Sequence, residues 1–124
     1  MKILLLSFIL VVFLIGCSSS EAEFSFMSGQ DAYELIASGS DVTILDVRSE
    51  EEFLSGHLEG AILLPVDEIE ARAESVLEDK DAVILVICRS GNRSQTASQE
   101  LANLGFTNVY DIGGIMSWPG EIIQ

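Results

Sequence analysis

The sequence predicts a single α/β domain, a parallel central sheet flanked by helices. Three observations carry that expectation. Apolar runs at 42–47, 61–64, 82–87 and 108–112 alternate with segments whose apolar residues recur at helical spacing, a pattern resolved by parallel strands joined through crossover helices. Residues 82–87 form an unbroken apolar run rich in β-branched side chains, as expected of a strand covered on both faces. Finally, 124 residues, 48% of them hydrophobic, suffice for one core and leave no room for a second domain.

The elements follow in order. Phe24 to Met27 is short and apolar enough for a strand. Ser28 is an N-cap with Asp31 three residues on, and Ala32, Leu35 and Ile36 continue a helix that Gly39 stops. Val42 to Val47 is a buried strand with Asp46 at its end. Ser49 caps a short acidic helix carrying Phe53 and ending at Gly56. Ala61 to Leu64 is a strand stopped by Pro65. Asp67 opens a helix to about Leu77, with Ile69, Ala73, Val76 and Leu77 on one face. Cys88 follows the central apolar strand. Ser94 to Leu104 is a helix with Ala97, Leu101 and Leu104 inward and Gly105 just past its end. Asn108 to Ile112 is the last strand; Gly113-Gly114 turns the chain, and Ile115 to Trp118 forms a final helical turn.

Charge narrows the function classes. Six Lys+Arg face 20 Asp+Glu, a formal net charge of -14, which opposes a nucleic-acid partner because phosphate binding needs a basic footprint. The front of the chain is different. Lys2 is the only charge before Glu21, and residues 3–15 are apolar except for Ser7: a positive start and an apolar stretch too short to span a membrane comfortably. Leu14-Ile15-Gly16-Cys17 then resembles a bacterial lipobox. That resemblance implies cleavage before Cys17 and lipid attachment to it; the alternative is an ordinary secretory signal that leaves Cys17 a plain thiol. The expected organisation is a signal peptide at 1–16, a tether at 17–23 and a folded domain at 24–124. Without residues 1–16 the chain has 108 residues and a charge of -15. The expected setting is the cell envelope, with the protein lipid-anchored at Cys17 outside the cytoplasmic membrane. Cys88 is then the one thiol left, with no partner for a structural disulfide.

The segment from Val83 to Ser94 is the most informative. A buried strand delivers Cys88 into the polar loop Arg89-Ser90-Gly91-Asn92-Arg93, which enters a helix at Ser94. Backbone N–H groups of such a loop can converge on one point, and the helix N-terminus adds about half a positive charge. Arg89 and Arg93 add two full charges, and the whole chain has four arginines. Positive surroundings favour the thiolate, the nucleophilic form of cysteine. A cysteine that merely closed a core strand would need neither Gly91 nor the two arginines.

Cys88-Arg-Ser-Gly-Asn-Arg-Ser94 resembles the active-site loop of the rhodanese family, the thiosulfate sulfurtransferases. Two further segments agree in order. Leu45-Asp46-Val47-Arg48 with Glu52-Phe53 and Gly56-His57-Leu58-Glu59-Gly60-Ala61-Ile62 resembles the family's first signature. Gly105-Phe106 and Val109-Tyr110-Asp111-Ile112-Gly113-Gly114-Ile115 with Trp118 resembles its last. The resemblance covers about Phe24 to Gly120. It implies a double displacement in which Cys88 takes the outer sulfur of thiosulfate as a persulfide and yields it to a thiophilic acceptor, with no metal or organic cofactor. It assigns donor binding to Arg89, Ser90, Gly91, Asn92, Arg93 and Ser94. Four residues separate Cys88 from Arg93. Phosphatases and arsenate reductases of the same general fold use five, so the shorter loop favours sulfur transfer. The competing class is a non-enzymatic rhodanese-like module that carries sulfur or binds a partner.

Other residues have plainer expectations. Asp46 either orients Arg48 or the loop, or caps a turn. Arg48 is spaced to pair with Glu52. His57, the only histidine, has a structural place in the family pattern. Trp118 is a core or lid aromatic, the acids at 50–52 and between Glu68 and Asp79 are solvated helix faces, and a monomer is expected.

Overall fold

The computed structural model describes residues 22–124. The segments expected as a signal peptide (1–16) and, for the most part, as a tether (17–23), with Cys17, lie outside the described residues. The elements are β1 (Ser25–Phe26), α1 (Gly29–Ala37), β2 (Thr43–Asp46), α2 (Glu50–Ser55), β3 (Ile62–Leu63), α3 (Ile69–Val76), β4 (Val83–Cys88), α4 (Asn92–Asn103) and β5 (Asn108–Gly114). The five strands are all parallel, in the order β1-β5-β4-β2-β3. The expected α/β architecture is what forms.

Side-chain alternation along β4 builds two cores. Ile84, Val86 and Cys88 point to one face, against Leu45, Val47, Leu64, Ile69, Ala73, Ala97, Leu101 and Phe106. Leu85 and Ile87 point to the other, against Ala32, Ile44, Leu58 and Ile112, with Trp118 packed at its margin. A strand serving two cores must be apolar at every position, which is why β4 reads as a continuous run. Residues 84–88 are all essentially inaccessible to solvent.

The strands β1, β2 and β3 and the final turn are each a residue shorter at one or both ends than expected, and three boundaries differ by two residues. Asp67 does not open an α-helix: Val66–Glu68 is a 3₁₀ turn in which Glu68 N–H donates to Pro65 O, and α3 starts at Ile69. α4 begins at Asn92, two residues before Ser94, because Gly91 adopts φ 108° and serves as the N-cap. β5 runs two residues past Ile112 because a register shift between Val86 and Cys88 lets Cys88 pair with Gly114. Ser28 and Ser49 do cap α1 and α2; Ser49 forms a full capping box with Glu52.

The strand order places the site. β2 leads to β3 on one side, whereas β4 sits on the other side of β2, so the chain reverses direction between β2 and β4. Open α/β sheets form their ligand crevice at such a point, beyond the carboxyl ends of the strands. Asp46 ends β2, Cys88 ends β4, and Asp46 is in register with Ile87.

Candidate active site

Cys88 lies at the end of β4, 1% exposed, at the base of a loop that closes within three residues. Gly91 N–H donates to Cys88 Sγ at 3.0 Å. The thiol lies 3.4 Å from Ser94 Oγ, which accepts from it and donates to Gly91 O at 3.0 Å. The loop holds this curl for two local reasons. Gly91 at φ 108° is in the left-handed region, where a side chain would be strained. Gly114, on the neighbouring strand, lies so close that a Cβ there would overlap the Arg89 carbonyl and Ser90 Cα. Met116 N–H donates to that carbonyl at 3.3 Å, fixing the loop's outer side.

The two loop arginines are treated differently. Arg93 donates from Nη1 to Glu52 Oε1 at 2.7 Å and from Nη2 to Glu52 Oε2 at 2.8 Å. Glu52 Oε1 also accepts from Ser49 N and Oγ, at 3.2 and 3.0 Å. The Arg93 hydrogen bond, countered in part by burial and aided by Ser49, lowers the Glu52 carboxyl from 4.5 to about 2. The Glu52 hydrogen bond in turn raises Arg93 above its ordinary value, with smaller help from the charges of Cys88 and Asp46. Arg89 is exposed and has no such partner among the described residues.

Two sequence expectations are corrected here. Arg48 does not pair with Glu52. It pairs with Asp46, donating from Nε at 2.9 and 3.1 Å and from Nη2 at 2.7 Å, and Nη2 also donates to Gly56 O at 2.7 Å. Asp46 Oδ1 accepts from Arg48 N as well, so both roles open to Asp46 are filled: it closes the turn and it orients the guanidinium. The pair is buried, and only a pair can be stable there. Glu52 is not part of a solvated acidic face. Its capping box turns it back toward the crevice, where Arg93 meets it.

The remaining candidates are placed as follows. Ser94 and Gly91 surround the sulfur. Ser90 is exposed on the loop and Asn92 at the first position of α4, where it lines a cavity of about 310 Å³ with Val66, Asp67, Glu70, Arg93 and Glu100. Burial, with the charges of Glu70 and Asp67, raises the Glu100 carboxyl in that cavity. His57 is held structurally: Nδ1 is 2.9 Å from Phe53 O, its ring stacks on Phe53, and its backbone bridges to Ile123. Trp118 packs edge-on against Tyr33 at the second core.

The sequence model of the rhodanese-like domain matches residues 28–121. The thiosulfate sulfurtransferase GlpE of Pseudomonas entomophila is 36% identical over 108 residues, covering 83% of this chain and 95% of GlpE. YrkF of Bacillus subtilis, whose name proposes a sulfur-carrier role, is 34% identical over 87 residues; the chain spans 46% of its length. A crystal structure of a rhodanese-related protein from Thermoplasma volcanium superposes with a TM-score of 0.70 at 32% identity, covering 80% of this chain and 97% of that one. With three-quarters of its length matched by the family and its sheet shared with solved members, the chain belongs to the rhodanese-like domain family.

Proposed function

We propose that the protein is a sulfurtransferase that moves sulfane sulfur from thiosulfate, or a similar anionic donor, to a nucleophilic acceptor through a persulfide on Cys88. The observation that carries this reading is the Gly91 N–H aimed at Cys88 Sγ from a loop entering α4. A donor N–H at 3.0 Å, a helix N-terminus and nearby Arg89 all favour negative charge on that sulfur. The Cys88 thiolate attacks the outer sulfur of thiosulfate. A new S–S bond forms, the old one breaks, and sulfite departs with its electron pair. The persulfide's terminal sulfur carries the charge, which the loop N–H groups stabilise as oxyanion-hole donors would. An acceptor thiolate, or cyanide, then attacks that sulfur and Cys88 leaves as thiolate. The proton balance closes without a general base once Cys88 is ionised, so His57 is not required.

The test is mass spectrometry of the purified domain after thiosulfate. One added sulfur atom on Cys88 is expected, with release on adding cyanide. Cys88→Ser should gain none and remain folded. A serine variant that loads sulfur, or a wild type that never does, would overturn the reading. In the second case the domain would act as a partner-binding module. The donor and acceptor are small molecules in this scheme and the domain acts as a monomer. Cys17, in our reading, holds it by lipid to the outer side of the cytoplasmic membrane or beyond.

A further inference from the structure

Among the described residues Arg48, Arg72, Lys80 and Arg93 each face a carboxylate, at 2.7, 3.1, 3.2 and 2.7 Å respectively. Arg89 is the exception. In a domain this acidic, the one cation without a carboxylate partner stands immediately after the reactive sulfur. The loop's other arginine is occupied: both terminal nitrogens of Arg93 lie on Glu52. Glu52 in turn is not free to move away, because the capping box of α2 fixes its Oε1 on Ser49. The link joins residues 41 positions apart, the start of α2 to the start of α4.

We propose that Glu52 is a positioning residue that fixes Arg93 as a neutral pair at the mouth of the cradle, so that Arg89 is the cation that receives an incoming anion. The consequence is moderate affinity. With Arg93 engaged, the cradle offers an anion one exposed, unpaired charge, that of Arg89, and the loop backbone N–H. With Arg93 released, two cations would close on the same anion, and sulfite would be retained after each transfer. Glu52 therefore sets how readily the anionic product leaves. This inference rests on the sulfurtransferase reading only for the identity of the anion.

The test uses sulfate as an inert probe and the rate of Cys88 alkylation by iodoacetamide, a neutral reagent. Sulfate in the cradle should shield the thiol, and the half-protecting concentration measures binding without any sulfur transfer. Glu52→Gln removes the charge but keeps the cap, since Gln serves in a capping box as Glu does. It should lower that concentration about three- to tenfold, the worth of one charge-assisted contact. Arg89→Gln should raise it by about tenfold on the same basis. The gain in Glu52→Gln should vanish when Arg93→Met is added, because the cradle mouth is again net neutral. Glu52→Ala removes the same charge and carries the same expectation if the Gln variant fails to fold. Unchanged protection in both Glu52 variants, or a gain that persists without Arg93, would overturn the proposal. A wild type that takes no sulfur from thiosulfate yet gives the Glu52 shift would overturn the sulfurtransferase reading and leave this one standing. Sulfur loading by a wild type whose sulfate protection ignores Glu52 would do the reverse.

Discussion

Asp46→Asn should cost the domain a large share of its stability, although Asn is nearly the same size. Asp46 is 0% exposed and Arg48 5%. The carboxylate accepts from Arg48 N, Nε and Nη2, and among the described residues the only other acceptor that Nη2 has is Gly56 O. Asn leaves one oxygen in place and turns an NH₂ toward a guanidinium that stays charged. Breaking a buried pair from one side costs about 3–5 kcal/mol, against a total of about 5–15 kcal/mol for a domain of this size. At a urea slope of about 2 kcal/mol/M, the midpoint should fall by about 2 M. Equilibrium urea unfolding followed by fluorescence of Trp118, the sole tryptophan, measures it. The double change Asp46→Leu with Arg48→Met should recover most of the loss, since no buried charge remains unmatched. A midpoint shift below about 0.5 M for Asp46→Asn would refute the reasoning, because it would mean that water reaches the guanidinium.

Gly114→Ala should displace the Arg89–Ser90 backbone, slow alkylation of Cys88 and destabilise the domain by about 1–3 kcal/mol, read from the same urea curves. Two glutamates should respond to acid with opposite sign. Glu52 is lowered to about 2, so its contribution is complete above 4.5 and lost as pH falls toward 2; across that window wild type should lose more stability than Glu52→Gln. Glu100 is raised by burial and by Glu70 and Asp67, so its ionised form opposes folding. Glu100→Gln should be the more stable form at neutral pH, with the advantage gone below 4.5. Membrane fractionation should find the full chain with the membranes and Cys17→Ser unprocessed as a lipoprotein, while a chain lacking residues 1–23 keeps sulfur transfer; a soluble full chain with an intact N-terminus would defeat the anchor alone.

The sheet and the cradle were legible because their signals are local. An unbroken apolar run identifies β4, and Cys88, Gly91 and the helix start follow it within a few residues. What escaped is the part made by contacts between distant segments. Glu52 sits in a run of three acids that resembles any solvated helix face, and nothing local announces Arg93, 41 positions on. One signal was available: Ser49-x-x-Glu52 is a capping box, and a boxed glutamate points back over its helix start instead of outward. Helical spacing pairs Arg48 with Glu52, yet Arg48 precedes the helix. At a strand end the nearer and better-buried acid is Asp46, two residues back. The sequence starts α4 at Ser94, whereas Gly91 in the left-handed region is the cap and the Ser94 hydroxyl is turned to Gly91 O and the cysteine.

The position of β5 has a consequence for how the protein is made. It is the last strand in the chain but lies inside the sheet, hydrogen-bonded to β1 on one side and β4 on the other. Until residues 108–114 have emerged, β1 has no neighbour and β4 carries an open, wholly apolar edge. A partial chain ending after α4 can still pair β4, β2 and β3, but the free edge of β4 is then a site for association with other chains. The sheet is complete only once β5 has inserted between β1 and β4.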